Sequence, residues 1–247
     1  MTTKKERLDT VLHARGLFAS REKAKAAVMA GVVLVDGARA PKPGMPVAQD
    51  AEISLLAPAC PYVGRGGLKL AAALDGFCID PAGAVAIDIG ASTGGFTDCL
   101  LKRGARRVYA IDVGYGQLDW KLRNDERVTN MERVNIRLLD ENAIPEKADL
   151  VTVDVSFISL KLVLPKAAAL MAEDGRMICL VKPQFEAGRA QVGKNGIVRD
   201  ESVRAEVLQN VAAYGRANGL LSQGVLPSPI KGAKGNTEFL LYLRRHN

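Results

Sequence analysis

Seven short apolar segments, separated mostly by helical patterns, run through the sequence from residue 84 onward. They lie near residues 84–89, 107–112, 127–130, 149–154, 176–181, 220–226 and 237–243, and a helical pattern at about 66–76 precedes them. This alternation predicts an α/β fold, in which a sheet of about seven strands carries helices on both faces. Ligands of such sheets bind beyond the carboxyl ends of the strands. We therefore expect the functional site along that edge.

The first 57 residues follow a different pattern. Apolar residues recur at helical spacing over residues 8–17, and Ser20 is a candidate N-cap for a second helix that ends at Gly31. A strand, a tight turn at Asp36-Gly37 and another short strand follow. The predicted domains are a small α+β domain over residues 1–57, a linker over 58–66 and the α/β domain over 67–247.

Charge and composition narrow the class of partner. The chain carries a net charge of +7, and residues 1–25 hold seven Lys or Arg against three acids. This balance favours a polyanionic partner, because phosphate contacts release counterions. No apolar run approaches the roughly 20 residues of a membrane-spanning helix, and the basic N-terminus lacks the apolar core of a secretory signal. We therefore expect a cytoplasmic protein with no membrane partner. The four cysteines include no CxxC pair and the two histidines lie at opposite ends, so no metal site is predicted.

The segment AVAIDIGASTGGFTDCLLKRG reads as a strand to Asp88, a glycine loop and a helix that starts near Gly94. A dinucleotide fingerprint would need glycine where Ser92 stands, so NAD is not favoured. The pattern D-x-G-x-x-x-G-G instead resembles the first motif of S-adenosylmethionine-dependent methyltransferases. Asp112, about 20 residues further on, is placed to accept the ribose hydroxyls of a nucleoside. An ordinary βα turn with a capping acid is the alternative.

Two charged residues end strands that are otherwise apolar. Asp154 closes DLVTVD, and Lys182 closes RMICLVK. Neighbouring parallel strands lie about 5 Å apart, so the two side chains are expected to meet at the carboxyl edge. A purely structural ion pair is the alternative. Taken singly, Lys69 and Glu238 fit solvated surface positions better than a functional role.

A second glycine-rich segment, GRAQVGKN at residues 188–195, nearly matches the P-loop that binds nucleoside triphosphates. It ends in Asn195, which lacks the hydroxyl that would bind Mg²⁺, and KPQFEA separates it from its strand. We expect a mobile loop over the site instead.

Nearly the whole chain resembles the TlyA-type family, known both as hemolysins and as ribosomal RNA 2′-O-methyltransferases. The matching segments are RLDTVLHARGLFASREKAKAAVMAGVVLVDG, GRGGLKL, DIGASTGGFT, VDVSFISL, VKPQFE and GNTEFLL. The first resembles the alpha-L RNA-binding motif of a ribosomal protein and of pseudouridine synthases. The remainder resembles the cell-division-type RNA ribose methyltransferases, which implies a Rossmann-like class I methyltransferase sheet and S-adenosylmethionine as cofactor.

The resemblance also implies roles for individual residues. The catalytic set of that family, Lys, Asp, Lys and Glu, maps onto Lys69, Asp154, Lys182 and Glu238. The implied cofactor contacts are Asp88, Gly90, Ser92, Gly94, Phe96, Asp112 and Asn135. The implied contacts to phosphates of structured RNA are Lys4, Lys5, Arg7, Arg15, Arg21, Lys23, Lys25 and Arg65.

These implications predict methyl transfer to a cytidine ribose in large-subunit ribosomal RNA, and longer members of the family also modify small-subunit ribosomal RNA. The chain runs only nine residues past Glu238, which favours the large subunit alone. Lys182 would accept the proton of the 2′-hydroxyl, with Asp154 and Lys69 setting its charge and Glu238 orienting Lys69 or the hydroxyl. The alternatives are a non-catalytic RNA-binding or ribosome-assembly protein, a membrane-active hemolysin and a methyltransferase for small molecules.

Overall fold

The computed structural model describes residues 5–56 and 60–245. Contacts between residues divide the chain into two compact units, residues 1–61 and 62–247. Residues 62–65, which the sequence assigned to a linker, belong to the larger unit, where the backbone N–H of Val63 donates to Asp98 Oδ2 at 2.8 Å.

The smaller unit contains two helices and two small antiparallel sheets. Its elements are β1 (Lys5–Arg7), α1 (Leu8–Ala14), α2 (Arg21–Met29), β2 (Val33–Val35), β3 (Ala38–Arg39), β4 (Pro46–Ala48) and β5 (Ile53–Leu55). Strand β1 pairs with β4, and the other sheet has the order β3-β2-β5. As predicted, Ser20 caps α2 by accepting from the backbone N–H of Lys23 at 3.2 Å. Asp36 and Gly37 both take a positive φ, which the tight β2–β3 turn requires.

The larger unit is built on a seven-stranded mixed sheet of order β11-β12-β10-β9-β6-β7-β8. Its strands are β6 (Val85–Ile89), β7 (Arg107–Asp112), β8 (Val128–Glu132), β9 (Ala148–Val153), β10 (Met171–Val181), β11 (Leu220–Pro227) and β12 (Phe239–Arg245). Its helices are α3 (Gly66–Gly76), α4 (Gly95–Lys102), α5 (Trp120–Arg123), α6 (Leu164–Leu170), α7 (Pro183–Glu186) and α8 (Glu201–Ala217). Strands β6 to β10 run parallel, and β12 is antiparallel to β10 and β11. The predicted fold class is confirmed.

Both faces of the sheet are buried, which explains why its strands read as continuous apolar runs. Alternate residues of β6 point to opposite faces: Val85, Ile87 and Ile89 join one apolar core, and Ala86 joins the other. Helices α6 and α8 contribute to the first core, and α3 and α4 to the second.

The sheet reverses its strand order beside β6. From β6 the chain adds β7 and β8 on one side and then crosses back to add β9 on the other. The carboxyl ends of β6 and β9 therefore flank a topological switch point, where open α/β sheets bind their ligands. The glycine loop follows β6, and Asp154 is the first residue after β9.

Candidate active site

The four candidate catalytic residues form two ion pairs. Lys182 Nζ lies 2.6 Å from Asp154 Oδ1, and Lys69 Nζ lies 2.6 Å from Glu238 Oε2. The contact expected between Asp154 and Lys182 is therefore present. Lys182 also donates to Ser156 Oγ at 2.9 Å.

Strand pairing explains why Lys182 and Glu238 share one edge of the sheet. Lys182 follows the last residue of β10, and Glu238 precedes the first residue of β12. Because these strands are antiparallel and Val181 pairs with Phe239, both side chains leave the sheet at the same end. Lys69 reaches Glu238 from α3. A Cβ on Gly66, one turn earlier in α3, would lie 3.9 Å from Asp154 Oδ2, which places this helix beside both pairs.

These charges are withdrawn from solvent. Lys69 and Lys182 are each 9% exposed and Glu238 is 3% exposed. An isolated charge at this depth would cost several kcal/mol, so pairing is a condition for keeping both lysines here. The Asp154 side chain is more open, at 21% exposure. The pair of Asp154 and Lys182 is thus the part of the site that an incoming substrate reaches more easily.

The glycine loop packs closely on this site. Gly90 has a φ of 86°, and a Cβ there would lie 2.5 Å from the carbonyl oxygen of Asp154. Gly94 has a φ of 93°, and a Cβ there would lie 2.2 Å from Leu122 Cδ1. Both positions therefore require glycine. Phe96, a predicted cofactor contact, is buried in the core beside α3.

Asp88 occupies a different environment from the one its strand-end position suggested. Its carboxyl group is fully buried and accepts from Thr97 Oγ1 at 2.7 Å and from Thr152 Oγ1 at 2.9 Å. Burial raises the pKa of Asp88 to about 6, and the negative charge of Asp154 acts in the same direction. In this structure Asp88 reaches no solvent and holds β6, β9 and α4 together.

A small pocket at the ends of β7 and β8 is lined by two acidic residues, Asp112 and Glu132. Asp112 is half-buried, and its carboxylate accepts from the backbone N–H of Ser92 at 2.8 Å and of Gly114 at 2.7 Å. Glu132, which pairs with Asp112 across the two strands, also lines the pocket. The exposed Asn135 is not among the lining residues, and its side chain caps a short turn by accepting from the N–H of Arg137. The full lining is Ala91, Ser92, Ala110, Asp112, Gly114, Gln117, Leu118, Asn130 and Glu132.

Sequence reasoning missed several residues of this edge. It ended β8 at residue 130, which left Glu132 outside the strand. It also passed over Phe157, whose side chain is 90% exposed. The backbone of Phe157 has a φ of +63°, and its ring lies 5.1 Å from that of Phe185. Glu186 binds the loop after Asp154, accepting from Ser159 Oγ at 2.6 Å and from the N–H of Leu160 at 2.8 Å. Burial raises the pKa of Glu186. The aromatic and acidic residues in VDVSFIS and VKPQFE were the sequence signal that could have identified Phe157, Phe185 and Glu186.

The predicted RNA contacts that the structure describes in the smaller unit are exposed, and three of them, Arg7, Arg15 and Arg21, also contact groups of their own unit. Arg7 forms two hydrogen bonds with Asp9, at 2.8 and 3.1 Å, and Arg21 lies 3.6 Å from the same carboxylate. Arg15 donates to the carbonyl oxygens of Gln49 and Ala51. Three further exposed residues are Lys5 on β1 and Lys23 and Lys25 on α2. Lys4 lies outside the described residues.

Arg65 is exposed just before α3, in the larger unit. Residues 188–195 follow α7 and form short 3-10 turns, in which the N–H of Gly193 donates to the carbonyl of Ile197 at 3.1 Å. They do not join a strand to a long helix as a P-loop does. Within residues 5–56 and 60–245, no helix has the length and apolarity needed to cross a bilayer, and no three His, Cys, Asp or Glu side chains cluster as metal ligands would.

Comparison with known proteins agrees with this geometry. Residues 62–245 match the FtsJ-like methyltransferase model, and residues 6–53 match the S4 domain model. A Bacillus subtilis protein named as a candidate rRNA methyltransferase, YqxC, is 51% identical over 98% of this chain and 87% of its own. The 16S/23S rRNA (cytidine-2′-O)-methyltransferase TlyA of Mycobacterium tuberculosis is 46% identical over 98% of this chain and 90% of its own. A solved structure named as a candidate hemolysin from Streptococcus thermophilus is 46% identical, with a TM-score of 0.79, and the match covers 100% of this chain and 90% of that one.

The resemblance drawn from the sequence motifs is confirmed. The methyltransferase match spans the sheet, the glycine loop and all four paired charges. The chain belongs to the FtsJ-like methyltransferase family and carries an S4 domain ahead of its methyltransferase domain.

Proposed function

We propose that this protein is a cytoplasmic S-adenosylmethionine-dependent methyltransferase that modifies the 2′-hydroxyl of a cytidine ribose in ribosomal RNA. The observation that carries the proposal is the pair of buried Lys–carboxylate contacts at the switch point, Lys182 with Asp154 and Lys69 with Glu238. Their placement beside a glycine loop and the small pocket lined by Asp112 and Glu132 suits transfer from a nucleoside cofactor to a hydroxyl group. The relatives named as rRNA methyltransferases and the S4 domain support RNA as the acceptor.

The residues present fit the proposed cofactor. Each oxygen of Asp112 accepts one backbone N–H, which leaves lone pairs for the two ribose hydroxyls. The positive φ of Gly90 lets the backbone approach the amino-acid part of the cofactor without a side chain in the way. When bound, S-adenosylmethionine supplies a methyl group on a sulfonium that is already a good leaving group.

The chain must then align the hydroxyl and remove its proton. For Lys182 to act as the base its ammonium must first give up a proton, and the acceptor in contact with it is Asp154 Oδ1, 2.6 Å from Nζ. The free amine of Lys182 then accepts the hydroxyl proton. The cofactor would supply the methyl group, with its carbon–sulfur bond breaking and the electron pair staying on sulfur as the carbon–oxygen bond forms. Asp154 returns its extra proton to solvent when the product leaves.

Lys69 and Glu238 are the less exposed pair and act as positioning residues. Their contact fixes α3 against the start of β12 and holds a positive charge near the reacting oxygen. Phe157 presents an exposed ring on the loop that carries Asp154, where a base removed from its stack can rest.

The experiment is transfer of labelled methyl from S-adenosylmethionine to purified large and small ribosomal subunits that lack the modification, followed by mapping of ribose methylation. Lys182→Ala removes the proposed base. Lys147→Ala is the matched control, because Lys147 is exposed at the opposite edge of the sheet, directly before β9. We expect one labelled cytidine ribose with wild type and Lys147→Ala, and none with Lys182→Ala.

Other results identify the alternatives. Normal transfer by Lys182→Ala with unchanged cofactor affinity would refute the assignment of the base. Cofactor binding without label on either subunit would point to a non-catalytic RNA-binding role or to another RNA. Lysis of erythrocytes by purified wild-type protein, undiminished in Lys182→Ala, would support the hemolysin reading.

A further inference from the structure

A basic cavity adjoins the candidate active site and takes no part in the mechanism above. It has a volume of about 340 Å³ and is lined by Ile197, Val198, Arg199, Arg204, Lys231, Gly235 and Thr237. Three of these seven residues are cationic and none is acidic. Arg204 lies 3.6 Å from the carboxylate of Glu201, which is 95% exposed.

Arg204 indicates what the cavity binds. Its side chain is 18% exposed and donates from one terminal nitrogen to the carbonyl of Arg199 at 2.9 Å. Its Nε is buried and has no hydrogen-bond partner among the residues that the structure describes. Within the fold the guanidinium donates from only one terminal nitrogen, so the Arg204 side chain that lines the cavity offers further donors to a ligand. Guanidinium groups bind phosphate in this way.

The walls of the cavity are fixed relative to the catalytic residues. The side chain of Asn236, which is 2% exposed, donates to the carbonyl of Gly196 at 2.8 Å and accepts from the N–H of Val198 at 3.1 Å. This network joins the loop after α7 to the loop before β12. Thr237 lines the cavity, and the next residue is Glu238. A phosphate bound here would therefore belong to an RNA strand that continues into the active site.

A second cavity, of about 480 Å³, continues the first. The two share Ile197 and Arg199, and the second adds Lys194 of the GRAQVGKN segment, with Asp200 as its single acidic lining residue. The result is a groove with a succession of cations, which suits a chain of phosphates better than one small anion.

We propose that Arg204 and Lys231 bind a backbone phosphate of the RNA strand that carries the target ribose. This inference rests on the proposed function and gives its acceptor a second point of attachment, in the methyltransferase domain itself.

The test uses full-length Arg204→Gln and Lys231→Gln, with Arg216→Gln as the control. Arg216 is exposed in the last turn of the same helix, α8, and lines neither cavity. Lys231 is exposed, so its variant stays informative if Arg204→Gln folds poorly. The measurements are kcat and KM for methyl transfer to unmodified subunits, and the slope of log binding constant against log salt.

We expect each cavity variant to raise KM about tenfold with kcat retained, the effect of losing one charge-assisted contact. The salt slope should fall by about one. Arg216→Gln should match wild type. If the cavity variants behave like the control, the inference is wrong while the proposed function stands.

Two further outcomes are decisive. If inorganic phosphate or ATP binds the wild type and Arg204→Gln abolishes that binding without changing KM or the salt slope, the cavity serves a small anion and the proposal fails. If the wild type transfers no methyl but the cavity variants still reduce the salt slope of subunit binding, the proposed reaction fails and the phosphate site is supported.

Discussion

Replacing Glu238 by leucine tests whether the ion pair of Lys69 and Glu238 is as buried as the structure shows. The substitution leaves the Lys69 ammonium 9% exposed and without its carboxylate. Removing one partner of a buried pair costs about 3–5 kcal/mol, because the remaining charge stays desolvated. The Lys69 side chain retains 11% exposure and can lean toward water, so we expect about 3 kcal/mol, the lower end of that range.

The double variant Lys69→Met with Glu238→Leu supplies the comparison. It replaces both charges by apolar groups of similar size, which is often neutral, so we expect its stability to lie within about 1 kcal/mol of wild type. Both variants should lose methyl transfer. Loss of activity without loss of stability in the double variant would separate the chemical role of the pair from its structural role.

Calorimetry is the appropriate assay because the two units can unfold separately. We expect S-adenosylmethionine to raise the transition temperature of the methyltransferase domain and so to identify it. A loss of 3 kcal/mol in a domain of this size lowers its Tm by about 6–12 °C. If Glu238→Leu shifts the Tm by less than about 2 °C, or if the double variant is as unstable as the single one, the pairing argument is refuted.

Three other predictions concern Asp88, Phe157 and Glu186. The folded-state pKa of Asp88, about 6, lies above its ordinary value of 3.8, so its ionisation costs no stability below pH 4 and about 3 kcal/mol above pH 6. In denaturant unfolding, the free energy of unfolding of Asp88→Asn should rise by that much relative to wild type between pH 4 and pH 7. A difference that does not depend on pH would contradict the assignment. Phe157→Ala should leave Tm unchanged, since the ring is 90% exposed, and lower kcat/KM by about tenfold or more through lost base stacking; unchanged kinetics on intact subunits would exclude a stacking role. Glu186→Gln should lower kcat several-fold at constant cofactor Kd, because Glu186 anchors the loop after Asp154 through Ser159 and Leu160; a change confined to cofactor Kd would assign Glu186 elsewhere.

The sheet and its ligand edge could be predicted because they follow from local patterns. Buried parallel strands are apolar on both faces, so β6 and β9 were readable from a few residues each. A charged residue at the end of such a run, such as Asp154 or Lys182, is expected at the carboxyl edge of the sheet and not in the core. Their contact followed from the spacing of neighbouring strands.

Long-range partners could not be predicted in this way. Lys69 and Glu238 are 169 positions apart, so local patterning left each as an ordinary surface residue. Asp88 carries the same strand-end signal as Asp154, yet Thr97 and Thr152 enclose it. Whether a strand-end acid faces the ligand or the core depends on which side chains surround it, and those come from other elements.

The position of β12 links chemistry to the completeness of folding. This strand inserts between β10 and β11, both of which precede it in the chain, so β11 joins the sheet only through β12. Glu238 directly precedes the first residue of β12. The Lys69–Glu238 pair therefore forms only when the start of β12, the last strand along the chain, has reached its place beside β10. Methyl-transfer activity should accordingly report on complete folding of the sheet, and it should be lost before most of the secondary structure is lost.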